Sequence, residues 1–340
     1  MKHSDIPGRL AKAFLTTLLI ALPMYGQRYD SPSSYNKVTL APSAANALDA
    51  AKVALGKRLF SDSRLSFDEW NSCASCHEPA HGFSESRPVS VGVLNHRGKR
   101  HTPTLLGRGS GVSQFWDGRA LTLEEQVLMP ISDPNEMGTT VEAALQRLHQ
   151  DPFYRNLTRE SLAEALASYV RSIRSENSNY DLFLWGWPSA ISDLELEGLR
   201  LFQNKARCYL CHSGARFTDE MFHNTGIAWR DGALQDEGRA AITGKTYHKG
   251  AFKTPTLRDV GRRGPYMHDG SLATLEDVVN YYDRGGNQNP HLDENIVPLH
   301  LSDAEKKALL AFLRTGLAGS VRDGVIERAM QSKNTPVTQH

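Results

Sequence analysis

The chain has 340 residues, 40% hydrophobic and 23% charged, with a formal net charge of +1. That length is enough for two domains of ordinary size, each with its own core. The composition excludes a disordered or low-complexity chain, and near-neutrality gives no bulk electrostatic reason to expect nucleic-acid binding.

Lys2, Arg9 and Lys12 precede an apolar run from Ala13 to Leu22, which Pro23 closes. Positive charge ahead of a short apolar stretch reads as a secretory signal over residues 1–26, too short to span a bilayer comfortably. The competing reading is a retained membrane anchor. With the signal removed, the expectation is a periplasmic protein with no stable membrane insertion. Residues 27–43, rich in Ser and Pro, read as an extended lead.

Helical apolar spacing runs from Ala44 to Phe60. Next comes Cys73-Ala-Ser-Cys76-His77, matched later by Cys208-Tyr-Leu-Cys211-His212, and the two strings hold all four cysteines. In an exported protein four cysteines would ordinarily suggest two disulfides. Two Cys-x-x-Cys-His strings instead point to two covalent c-type haems. In each, a pair of thiols can add to the haem vinyl groups while His77 or His212 ligates iron.

From Glu78 to Gly118 the sequence is rich in Gly, Pro, His and Ser, as loops wrapped around a cofactor would be. Thr139-x-x-Glu142 predicts a capping box opening a helix through Gln150, and a second helix is expected over Ser161 to Ile173. The stretch from Asp181 to Pro188 closes the first half. Leu194 to Phe202 predicts the helix that delivers Cys208. Loops follow, then helices over Thr274 to Tyr282 and Ser302 to Leu317, the latter opened by Ser302 and Glu305. The expected fold is mostly α, with one haem domain over residues 44–190, a second over 191–320, and a flexible tail over 321–340.

Phe115-Trp-Asp-Gly-Arg119, Leu123-Glu-Glu-Gln126, Asn135-Glu-Met137, Phe252-Lys-Thr-Pro-Thr-Leu-Arg258 and Gly264-Pro-Tyr-Met-His-Asp-Gly270 occur in order around the haem strings. In these the chain resembles the bacterial di-haem cytochrome c peroxidase and MauG family, from about Leu48 to Leu317. The resemblance implies two cytochrome c-like helical domains: an N-terminal peroxidatic haem domain and a C-terminal electron-transfer one. It also places the inter-haem tryptophan at Trp116, the distal glutamine at Gln126 and the distal catalytic glutamate at Glu136. A carboxylate near the iron can take a proton from hydrogen peroxide and return it to the leaving oxygen. The plainer readings are a solvated carboxylate for Glu136 and core packing for Trp116.

Peroxidases of the family often carry a mobile distal histidine where this chain has Val93. His81, His96 and His101 lie near enough in sequence to substitute, and Met129 and Met137 are also nearby. The expectation is a first haem that is five-coordinate or water-bound. In the peroxidase branch a methionine closes the second haem; here that position is Tyr282, as in the MauG branch, with Tyr281 or Met267 as rival ligands. A phenolate is a hard donor that favours oxidised iron. The resemblance further implies a calcium ion held by the carbonyls of Arg263 and Pro265 and by an Asn side chain. The Asn position is His101, and imidazole is a poor ligand for a hard cation. MauG itself has a tryptophan two residues before its second string, where this chain has Ala206. An exit route for oxidising equivalents would then pass through Trp229, Trp185 or Trp187.

Three functions compete. The favoured one is a MauG-like enzyme using hydrogen peroxide to oxidise Trp or Tyr side chains of a partner protein through a high-valent di-haem state. The alternative is a cytochrome c peroxidase taking electrons from a small cytochrome or cupredoxin. The third is a plain electron carrier, which the distal strings disfavour.

Overall fold

The computed structural model describes residues 48–324. The expected signal over 1–26, the lead over 27–43 and most of the tail lie outside these residues. Among the described residues no helix is long and apolar enough to cross a membrane.

The first half opens with α1 (Ala50–Phe60), whose N-cap Asp49 accepts from the Ala51 N–H at 2.8 Å. After α2 (Cys73–Cys76) and a long loop come α3 (Leu123–Gln126), α4 (Met129–Ser132), α5 (Val141–Leu148) and α6 (Arg159–Ser172). Strand β1 (Arg174–Glu176) and α7 (Asn179–Leu184) lead to the second half. There α8 (Asp193–Gln203) precedes short strands β2 (Phe222–His223), β3 (Trp229–Arg230) and β4 (Ala233–Leu234), then α9 (Ala240–Thr243) and β5 (Phe252–Lys253). The order closes with α10 (Leu275–Asp283), α11 (Asp303–Ala311) and β6 (Ser320–Arg322). The fold is therefore mostly helical, as expected, and its only described sheets are the two-stranded ribbons β1–β6, β2–β5 and β3–β4.

Helix starts follow capping chemistry, with small departures from the sequence reading. Ser302 does cap α11, accepting from the Glu305 N–H while Glu305 accepts from the Ser302 N–H at 2.7 Å. Helix α5 is capped by Thr140, not Thr139, through the Ala143 N–H at 3.1 Å. Glu142 pairs instead with Arg159 at 2.8 Å. Ser161, read as the start of α6, is the third residue of a capping box set by Thr158.

Each half buries one apolar cluster. The first gathers Phe60, Phe83, Leu148, Leu162 and Leu166; the second packs Leu199, Phe202, Phe217, Leu309 and Phe312. Phe202 and Phe312 meet edge to face, with ring centres 5.4 Å apart. The helix preceding each haem string crosses the last long helix of its half at a glycine. A Cβ on Gly56 of α1 would lie 1.9 Å from the Ala165 carbonyl oxygen of α6, and one on Gly198 of α8 would lie 2.1 Å from that of Ala308 in α11. The first residues of the expected tail, 321–323, are held in the fold. Ser320–Arg322 pairs antiparallel with Arg174–Glu176, and Asp323 accepts from the Tyr169 hydroxyl at 2.8 Å.

Candidate active site

The two Cys-x-x-Cys-His strings are built alike. In each, a single helical turn ends with the histidine N–H donating to the carbonyl of the first cysteine, His77 to Cys73 and His212 to Cys208, both at 2.9 Å. One turn thus brings two thiols and an imidazole to one wall. All four cysteines are free of disulfides. Burial pushes the Cys73, Cys76 and Cys208 thiols up to about 12.

The imidazoles are also set alike. His77 Nδ1 donates to the Phe83 carbonyl at 3.1 Å and His212 Nδ1 to the Phe217 carbonyl at 2.9 Å. Because a carbonyl can only accept, each bond fixes the proton on Nδ1 and leaves the Nε2 lone pair for a metal. Burial holds both rings below the usual imidazole range, His77 at about 4, which favours the neutral form a ligand needs. Both strings open onto one cavity of about 1160 Å³, above the roughly 300–1,000 Å³ of ordinary ligand pockets. Four free thiols and two oriented imidazoles around so large a space fit two c-type haems.

The remaining sequence-selected residues face the same cavity. Gln126 at the end of α3, Glu136 in the turn after α4, and Trp116 all line it, as do Tyr282, Arg263 and Pro265. The Glu136 turn is held by its own N–H to Asp133 and by its carbonyl, which accepts from the Val93 N–H at 2.9 Å. Its carboxylate has no hydrogen-bond partner among the described residues. Burial pushes Glu136 up to about 7, with the Asp133 charge adding to the rise and the Arg119 guanidinium opposing it. The Trp116 indole N–H donates to the His101 carbonyl at 2.8 Å.

Tyr282 projects from α10 into the cavity, and burial raises its hydroxyl well above the ordinary phenol range. Its neighbour Tyr281 is committed elsewhere. The Tyr281 hydroxyl donates to the Thr225 carbonyl at 2.9 Å and accepts from the Asn287 N–H at 3.1 Å. Met267 lines the cavity as well.

Of the histidines near the first string, His81 pairs with Glu78 at 3.1 Å, and His96 is an exposed residue whose Nδ1 donates to the Pro134 carbonyl at 3.1 Å. Neither lines the cavity, and Val93 is buried against Gly138. His101 does line it, but its Nδ1 donates to the Arg87 carbonyl and its Nε2 meets the Ser84 hydroxyl, both at 3.0 Å. A ring so engaged offers no oxygen to a calcium ion beside Arg263 and Pro265. Trp229, Trp185 and Trp187 lie off the cavity wall, the last two exposed; Ala206 is on it.

Sequence reasoning passed over several polar groups on this wall. Lys253, inside the quoted Phe252 string, is buried; its Nζ donates to the Ser113 carbonyl at 3.2 Å and burial pushes it down to about 7. His223 is clamped between Asp219 at 3.0 Å and Asp293 at 2.6 Å, and these carboxylates push it up to about 12. His268 stacks on Phe252 with ring centres 3.6 Å apart. Their signal was tertiary: Asp293 is 70 residues from its partner His223.

Residues 50–188 match the di-haem cytochrome c peroxidase family. The methylamine utilization protein MauG of Methylorubrum extorquens is 40% identical over 282 residues, covering 80% of this chain and 79% of that one. Cytochrome c551 peroxidase of Nitrosomonas europaea is 34% identical over 237 residues, covering 66% and 70%. The crystal structure of a MauG-like protein associated with microbial copper homeostasis matches with a TM-score of 0.74 at 31% identity, covering 81% of this chain and 91% of that one. Sequence relatives, fold and the twin histidine strings agree, and the chain belongs to the di-haem cytochrome c peroxidase and MauG family of haem-dependent, peroxidase-like oxidoreductases.

Proposed function

We propose that this enzyme is an exported, MauG-like member of its family that uses hydrogen peroxide to oxidise Trp or Tyr residues of a partner protein. The single observation that carries this reading is Tyr282 on the cavity wall, with Tyr281 held away by backbone hydrogen bonds. When bound, c-type haem supplies an iron that accepts oxidising equivalents from peroxide. His77 and the Cys73 and Cys76 thiols would hold the first haem; His212, Cys208, Cys211 and the Tyr282 oxygen would hold the second, one in each cytochrome c-like half.

The chain's own residues do the proton work. Glu136 takes a proton from the near oxygen of peroxide and returns it to the far oxygen, which departs as water. Poised at about 7, its carboxyl is matched to both transfers. Gln126 presents an amide that orients the peroxide. Trp116, held by its indole N–H on the wall that both strings share, would carry electrons between the two haem sites. The phenol oxygen of Tyr282 is a hard donor suited to an oxidised metal, which disfavours simple uptake of electrons from a small cytochrome or cupredoxin.

The test is electron paramagnetic resonance of the resting ferric protein. One high-spin haem and one low-spin His/Tyr haem are expected. Two low-spin haems, one with methionine ligation, would return the enzyme to the cytochrome c peroxidase class. Adding stoichiometric peroxide should then give an oxidised protein that persists without an electron donor.

A further inference from the structure

His101 joins three parts of the cavity wall. Its side chain ties to the segment after the first string, through the Arg87 carbonyl and the Ser84 hydroxyl, each at 3.0 Å. With the single His101 proton on Nδ1, the Ser84 hydroxyl donates its one proton to Nε2, and the Thr102 carbonyl 2.6 Å away competes for it. Ser84 directly follows Phe83, whose carbonyl orients His77. The backbone N–H of His101 donates to the His268 carbonyl in the second half at 2.8 Å. Its own carbonyl accepts the Trp116 indole N–H. The residue is only 5% exposed, so water does not compete for these bonds.

We propose that His101 is the positioning residue of Trp116, its anchored ring fixing the carbonyl that sets where the indole lies, with no metal ion taking part. An indole N–H has a single donor direction, so one immovable acceptor fixes both the depth and the rotation of the ring. Without the side-chain anchors, the 101 carbonyl is held only through the His268 bond and the contacts of Thr102 with Ser84 and Glu85, and the indole loses its most rigid support. The inference rests on the electron path through Trp116 proposed above.

The test uses the holoenzyme and three variants: His101→Ala, Ser84→Ala and Trp116→Phe. Tryptophan-selective ultraviolet resonance Raman reads the indole hydrogen bond directly. Electron equilibration after one-electron reduction reads its consequence, one electron leaving one iron and arriving at the other with no proton released. His101→Ala should weaken the Raman hydrogen-bond marker and slow equilibration several-fold. Ser84→Ala should do the same to a smaller extent, and the double variant should fall short of the sum of the two, because both remove the Ser84–His101 bond. Should His101→Ala lose haem, Ser84→Ala, which removes one hydroxyl, still decides the matter.

An unchanged Raman marker in both variants overturns the inference. If Trp116→Phe leaves equilibration unchanged, the electron path through Trp116 fails instead, while the Raman marker still judges His101. Calcium titration of the holoenzyme should show no stoichiometric uptake, and chelation should leave the marker unmoved. A marker that moves on chelation assigns the positioning to a metal and overturns the proposal.

Discussion

Glu136 combines two properties that oppose each other on most protein surfaces: it faces a cavity large enough for cofactor and substrate, yet it is desolvated. Burial and the Asp133 charge raise its pKa to about 7, against the opposing pull of Arg119. Only the deprotonated carboxylate can accept the peroxide proton, so the rate of reaction with peroxide should climb as pH rises through about 7 and level off above it. Stopped-flow absorbance across that range checks the sign. Glu136→Gln should flatten the profile and slow the reaction by about 10²-fold or more, as loss of a general base does. Tyr282→Met should raise the reduction potential of the second haem, because a soft thioether stabilises reduced iron where a phenolate stabilises oxidised iron; spectroelectrochemistry reads the shift directly. Both residues stood out in the sequence through their motif positions. Their environments did not, since desolvation comes from segments far apart along the chain.

At the scale of elements, each half hangs its histidine string from a helix that crosses another at a glycine. Gly198→Val would drive a side chain against the Ala308 carbonyl and the Phe312 side chain, already 2.1 and 2.7 Å from an added Cβ. It should cost at least about 1–3 kcal/mol, measured by denaturant unfolding. The caps offer a finer comparison. Thr140→Ala should cost about 1 kcal/mol of stability. Thr139→Ala should cost less, because the Thr139 hydroxyl only accepts a long 3.4 Å bond from Arg147. Helix positions were legible from apolar spacing and from Ser302 with Glu305. The α5 start was misread because adjacent threonines offer two registers, and Glu142 is drawn to Arg159 rather than to the cap.

Across the whole molecule the two halves are stitched by buried charge. Arg108 from the first half meets Glu220 of the second at 2.7 Å, both side chains almost fully buried. The same guanidinium donates to Gln114 at 3.1 Å and to the Ser113 carbonyl at 2.6 Å. Arg108→Ala removes the shortest of three cationic contacts to Glu220, leaving Arg216 at 3.4 Å and Lys253 at 4.0 Å, and should destabilise the protein by less than the roughly 3–5 kcal/mol that breaking an isolated buried pair costs. Nothing in the local sequence marks Arg108 as Glu220's partner across 112 positions. The mostly helical class was legible because helix periodicity is local, whereas the β1–β6 ribbon was not. Its strands are three residues each and only acquire meaning when the chain returns from residue 320 to residue 174.

The cavity wall runs from Phe60 to Leu313, almost the whole described chain, and the cysteines meant for covalent attachment lie on its inner surface. In the closed fold three of the four thiols are held at about 12, so almost none is present as the reactive thiolate. Cysteines on an inner wall, with burial opposing their thiolates, favour loading of the strings while the chain is open, with folding then proceeding around cargo already in place. Purified apoprotein that has already closed should resist reconstitution with free haem, making the order of assembly as much a property of this enzyme as its final shape.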